Sequence, residues 1–134
     1  MVEATDGYLK RLSRYVSTEL VLVRDSDASR ESRLLLDKLD ARDHLVALDQ
    51  RGVQWNTEQF SEHLRNIAER GAPRIVFAIG GAYGHAEPTR KRADLLLALS
   101  STTLPHRLAW TVLAEQLYRA HTYLKGERYH HGSA

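Results

Sequence analysis

Cysteine is absent from the 134-residue chain. That excludes a disulfide framework, a thiolate-bound zinc site and a cysteine nucleophile, so packing must hold the fold and seven histidines are the only soft metal ligands. Long apolar runs are missing as well. No window approaches eighteen consecutive apolar residues, and Met1 to Gly7 is polar and acidic, without the apolar stretch of a signal peptide. The expected setting is cytoplasmic, without a membrane span. Repeats, linkers and low-complexity tracts are lacking too, and the length suits a single domain over residues 1–134, too small for two independent cores.

What is present is balanced. Hydrophobic residues make up 43% and charged residues 27%, close to the averages for globular domains, which excludes a disordered tail or a coiled-coil rod. The net charge of +2 is placed unevenly: residues 1–84 carry 12 Lys/Arg against 13 Asp/Glu, and residues 85–134 carry 7 against 4. His85, His106, His121, His130 and His131 lie in that second stretch and add positive charge when protonated, so a polyanion would approach that end.

Apolar spacing divides the chain into alternating helices and strands. Leu9, Leu12 and Val16 mark a first helix, and Glu19 to Arg24 reads as a short buried strand. Asp25 to Ser29 supplies turn and cap chemistry for a helix through Leu34, Leu35, Leu36 and Leu39, followed by a strand from His44 to Asp49. Arg51-Gly52-Val53 reads as a turn. Asn56 and Gln59 form a capping-box pattern before a helix that turns Phe60, Leu64 and Ile67 inward and closes at Gly71. Arg74 to Ile79 is the most continuous apolar strand; a glycine-rich turn from Gly80 to Gly84, a short basic helix from about Glu87 and a strand from Leu95 to Leu99 follow. A long helix starts at Pro105 and stops at Gly126, leaving 127–134 as a tail. The class is α/β with a mainly parallel sheet and flanking helices, and ligands of such sheets bind beyond the strands' carboxyl ends, here Asp49, Gly80 and Ser100.

Three places could carry chemistry. Gly80-Gly81-Ala82-Tyr83-Gly84 follows a strand directly, and its glycines admit a ligand close to backbone amides; a tight turn with no ligand has the same composition. Leu99-Ser100-Ser101-Thr102-Thr103-Leu104-Pro105-His106 offers hydroxyls and a histidine at the mouth of the long helix, either as an adenosine cradle or as plain capping groups. On that helix Arg119 is suited to grip phosphate, among Glu115, Gln116, Tyr118 and His121. Leu108, Trp110, Leu117, Tyr118 and Leu124 give the helix more apolar area than one face needs, which points to a homodimer. Tyr129-His130-His131 has too few partners nearby for a metal, so no metal is expected.

In order and spacing these stretches resemble the SPOUT-class methyltransferases that modify a pseudouridine of large-subunit ribosomal RNA at ring nitrogen 3. The resemblance runs through Tyr8 to Arg11, Leu48-Asp49 with Gly52 and Phe60, Ile79 to Gly84, Leu99-Ser100 to His106, Leu113 to Ala120 and Tyr129-His130. It implies a C-terminal trefoil knot, which no periodicity shows, and a homodimer acting on ribosomal RNA or the assembled ribosome. It also implies S-adenosylmethionine held by Leu48, by Gly80, Gly81 and Gly84, and by Leu99, Ser100, Ser101, Thr102, Thr103 and Leu104. The resemblance further implies substrate contacts at Arg119, Tyr129, His130 and His131.

The imide nitrogen of a pseudouridine is mostly protonated at neutral pH, so a base or cationic stabiliser has to assist attack. His106, His130 and His131 are the candidates, with Arg119 as the cation. The chain departs from the family in three ways: Met1 to Asp6 is too short and polar for the usual first strand, Trp110 stands where an Arg is usual, and His131 where Arg or Lys is usual. A competing reading keeps the fold as an RNA- or ligand-binding protein with little catalysis.

Overall fold

The strand Ile75–Ile79 is apolar at every position, and the structure buries all five residues. A strand buried on both faces needs helices on both sides and partners on both edges. The computed structural model describes residues 7, 18–22, 28–80, 85–100, 102 and 104–126. Its elements are β1 (Thr18–Leu22), α1 (Ala28–Lys38), β2 (His44–Val53), α2 (Thr57–Glu69), β3 (Ile75–Ile79), α3 (Glu87–Arg92), β4 (Leu95–Leu97) and α4 (His106–Leu124). The expected helix at residues 8–17 and the cap at Asp25–Asp27 lie outside the described residues.

All strand pairs are parallel, in the order β1-β3-β2-β4. Alternate side chains go to opposite faces. Val46, Ile75, Phe77 and Ile79 meet Phe60, Leu64 and Ile67 of α2 and Leu113, Leu117 and Ala120 of α4, while Leu45, Val76 and Ala78 meet Leu35 of α1. Helix α3 packs beside α1, where the buried hydroxyls of Ser32 and Thr89 share a hydrogen bond of 2.5 Å. The steps β1 to β2 and β3 to β4 run in one direction across the sheet with their helices on one face. The step β2 to β3 runs back with its helix on the other, so all three crossovers share one hand.

The local signals hold where chemistry was specific. The capping box forms, with the Gln59 amide donating to Asn56 Oδ1 at 2.8 Å and the Asn56 amide to Gln59 Oε1 at 3.0 Å. Gly71 and Gly126, with φ of 80° and 73°, end α2 and α4 in the left-handed region that favours glycine. Helix α4 begins one residue later than its sequence suggests, because Pro105 keeps an extended ψ of 149° and sits as the cap. Leu117 is fully buried inside the subunit, so it adds nothing to an outer apolar face. His85 and His121 are buried and held below the ordinary histidine range by that burial, so neither supplies the expected positive charge at neutral pH.

The clearest correction is at Arg51-Gly52-Val53, which is strand and not turn. Val53 returns to pair with Leu97, a partner Leu48 already has, and the Ala98 amide donates to the Val53 carbonyl at 2.8 Å. Residues 49–52 are the irregularity between the two pairings. Glycine is needed at 52 for closeness and not for a turn: a Cβ there would lie 2.5 Å from the Leu96 carbonyl carbon and oxygen and 2.6 Å from the Leu97 nitrogen. β4 in turn stops at Leu97, short of Leu99.

Charged side chains close the amino ends of the strands. The buried Asp43 carboxylate accepts from Arg74 at 2.7 Å and from the Asp40 amide at 2.9 Å, and the Arg74 guanidinium holds it below the usual carboxylate range. Arg92 donates to the carbonyl of Asp43 at 2.9 Å and to Asp94, whose carboxylate takes the Leu45 amide at 2.8 Å. Beside them His44 and His63 share one proton across 3.0 Å between Nε2 atoms, with Trp55 against His63.

Two outcomes follow. Gly52→Ala drives a methyl group into backbone that cannot swing aside, and the expected loss is about 1–3 kcal/mol in urea denaturation; unchanged stability would contradict the contact. His44, His63 and His121 all have lowered pKa values through burial, His121 to about 4. The unfolded chain takes up those protons first, so stability is full above about pH 6.5 and falls as pH drops toward 4, His121 alone contributing about 3 kcal/mol across that window. Denaturation midpoints that stay flat between pH 7 and pH 4.5 would refute this.

Candidate functional site

Parallel strands bring their carboxyl ends to one edge. The registers Leu48↔Ile79 and Leu48↔Leu97 set Leu48 of β2 level with the ends of β3 and β4, with β2 in the middle. Leu48, Ile79 and Leu97 are therefore brought together, with Gly80 next after Ile79 and Leu99 two residues beyond Leu97. Gly80 is half-buried, and without a side chain it leaves the strand-end backbone open to a ligand.

In the third loop Leu99 and Leu104 pack against the core, while the Thr102 amide donates to Ser100 Oγ at 3.1 Å and the two hydroxyls lie 2.9 Å apart. Gly81, Gly84, Ser101 and Thr103 fall outside the described residues, as do the side chain of His106 and the tail with Tyr129, His130 and His131.

Next to Leu48, Asp49 has a nearly buried carboxylate. Burial acts to raise its pKa, but the side chain and amide of Arg51, the latter at 2.9 Å, outweigh that and lower it. The carboxylate is thus ionised at the mouth of the strand ends. A depression of about 390 Å³ adjoins the third loop, between Leu97 and Leu99 on one side and Trp55, Thr57 and Gln116 on the other.

Helix α4 carries Arg119 within an ordered chain of bonds. Arg119 donates to Glu115 Oε1 from Nε at 2.9 Å and from Nη2 at 2.5 Å, Gln116 Nε2 donates to the other Glu115 oxygen at 2.9 Å, and the Thr57 hydroxyl donates to Gln116 Oε1 at 3.0 Å. The guanidinium is four-fifths buried and fixed in direction. Sequence reasoning singled out Arg119 but gave Glu115 no role, although the spacing of four residues on a helix was available as a signal. It also gave His85 only a charge. That ring is 4% exposed beneath the strand ends, with Nε2 donating to the Ala78 carbonyl at 3.1 Å.

Among the described residues no helix is long and apolar enough to cross a membrane, and no three His, Asp or Glu side chains gather as a metal site.

Comparison with known proteins gives a consistent result. The family model described as "Predicted SPOUT methyltransferase" matches residues 1–130. A protein of Anaeromyxobacter sp. (strain Fw109-5) named ribosomal RNA large subunit methyltransferase H is 44% identical over 135 residues, spanning 95% of this chain and 88% of its own. Proteins of the same name from Geobacter metallireducens and Christiangramia forsetii are 39% and 37% identical, spanning 94% and 92% of this chain and 86% and 85% of theirs.

Proposed function

Because the chain belongs to the SPOUT methyltransferase family, whose fold carries the knot, we propose that it transfers a methyl group from S-adenosylmethionine to large-subunit ribosomal RNA. The acceptor in this reading is N3 of a pseudouridine, the enzyme a cytoplasmic homodimer of single-domain subunits. One observation carries it: Leu48 of β2 lies level with the last residues of β3 and β4, Ile79 and Leu97, and Gly80 and Leu99 follow within two residues, on the side where such sheets bind their ligands.

The residues fit the donor. Backbone amides and carbonyls at a glycine suit the polar edge of an adenine, the half-buried Leu48, Leu99 and Leu104 suit its faces, and the Ser100 and Thr102 hydroxyls suit a ribose. Gly81, Gly84, Ser101 and Thr103 complete the set in this reading. When bound, the donor supplies an electrophilic methyl group on a sulfonium, so the protein's task is alignment. Arg119, kept cationic and directed by Glu115, faces RNA phosphate or the developing imide anion. His106, His130 or His131 takes the imide proton, and Tyr129 with the tail crosses to the partner subunit's site.

The decisive measurement is incorporation of labelled methyl from S-adenosylmethionine into intact ribosomes and into free large subunits, with the modified position mapped. Incorporation into neither would leave the binding-protein reading. Gly80→Val should abolish calorimetric binding of S-adenosylhomocysteine in a folded protein; undiminished affinity would move the pocket elsewhere. Deleting residues 129–134 should abolish transfer and spare that binding, and mixing this deletion with Gly80→Val should restore activity through heterodimers. His131→Arg should flatten the fall of activity on acidification, since arginine keeps its charge where histidine titrates. Full activity of the deletion on ribosomes would remove the tail from the site.

A further inference from the structure

Helix α3 is a six-residue helix whose cap position, Ala86, makes no side-chain hydrogen bond. A helix so short is not stable by itself. Three polar contacts pin it: Thr89 to Ser32, Arg92 to the carbonyls of Asp40 and Asp43, and His85, just before its cap, to the carbonyl of Ala78. The first holds α3 to α1 and the second ties it to the amino ends of the strands. The third points at the functional edge.

His85 is an expensive residue for its position. A ring 4% exposed could be replaced by leucine with a gain in apolar burial, and a buried imidazole is tolerated only for the bond it makes. Because the acceptor is a carbonyl, Nε2 must carry the proton, which leaves Nδ1 bare; that buried atom has no hydrogen-bond partner among the described residues. Groups from three elements face the ring. The Ala78 carbonyl of β3 and the Leu48 carbonyl and Asp49 carboxylate of β2 favour a second proton, while burial and Arg90 of α3 oppose it. His85 thus sits among the backbone groups that flank Gly80 and Leu48.

We infer that His85 is a positioning residue: its neutral ring fastens the start of α3 to the end of β3, and so holds Leu48 and Gly80 in the shape that receives the methyl donor. The inference rests on reading that edge as the donor site. A second proton would put a charge on a buried ring whose Nδ1 has no hydrogen-bond partner among the described residues, and the ring would have to leave or turn toward the Leu48 carbonyl. Either movement disturbs the cradle, so donor affinity depends on pH through this residue.

The test uses the full chain with His85→Leu, which keeps bulk and loses the donor, and His85→Gln, which keeps an N–H near the position of Nε2. Calorimetry with S-adenosylhomocysteine should show at least a tenfold weaker Kd for the leucine variant and a glutamine variant within threefold of the parent. With ribosomal substrate, KM for the methyl donor should rise in parallel in the leucine variant while kcat at saturating donor stays within twofold. The parent's affinity should fall on acidification only at a pH below the ordinary histidine range, because burial lowers the pKa of this ring, and the glutamine variant should lack that fall. Without any ligand, the amides of Gly80 and Ala86 should exchange hydrogen faster in the leucine variant. Parental affinity and exchange in His85→Leu would overturn the inference. If that variant does not fold, an acid fall persisting in His85→Gln overturns it. If the parent binds no S-adenosylhomocysteine, the donor-site reading fails by itself, and unaltered exchange in His85→Leu would overturn the fastening role as well.

Discussion

The register of β3 is the constraint on which everything else depends. Its five buried residues pair on one edge with β1 and on the other with β2, so Ile75 faces both Thr18 and His44, and Ile79 faces both Leu22 and Leu48. A slip of one residue would exchange Phe77 for Val76 against α2 and α4 and empty both cores. With the register fixed and all pairs parallel, the carboxyl ends have nowhere to go but one edge. The candidate site is therefore a by-product of the packing that stabilises the sheet.

The two ends of the sheet are treated differently by the sequence. At the amino ends, Asp43, Arg74, Arg92 and Asp94 satisfy one another and the free backbone groups at short distances, which closes that end with charge. Toward the carboxyl side, where Leu48 lies level with the ends of β3 and β4, the residues are Leu48, Gly80 and Leu99, whose polar groups are those of the backbone. Charge at the closed end rigidifies; backbone at the open end leaves donors and acceptors for a ligand. Asp49 and Arg51 are the exception, and their mutual pairing keeps a carboxylate ionised beside the opening.

Much of this was legible in the residues. The apolar runs at His44 and Ile75, the capping box at Asn56 and the glycine stops at Gly71 and Gly126 each obey a local rule, and each appears where the rule puts it. Alternation put the strand ends at Asp49, Gly80 and Ser100; β3 does end before Gly80, while β2 runs on to Val53 and β4 stops at Leu97. What failed was non-local. Gly52 carries the composition of a turn, but its use is set by Leu96, a residue far away in sequence that no local pattern links to it. His85 and His121 read as cationic because only the folded environment shows that they are buried. Leu117 read as surplus apolar area until β3 and α2 were seen to enclose it.

The strand order has a consequence for how the chain reaches this state. Of the three pairings only β2 with β3 joins strands that follow one another; Thr18 must find Ile75 and Val46 must find Leu95 across intervening elements. Closing such loops costs chain entropy before any contact repays it, so folding is slow for a domain of this length. The unit β2-α2-β3 is the natural nucleus, since it alone closes a short crossover and buries Phe60 on Phe77. β4, three residues long, gains its hold only after β2 is already in place. The third loop, which borders the candidate donor site, therefore takes its place only after β2 has, and a chain without that pairing has no site to offer.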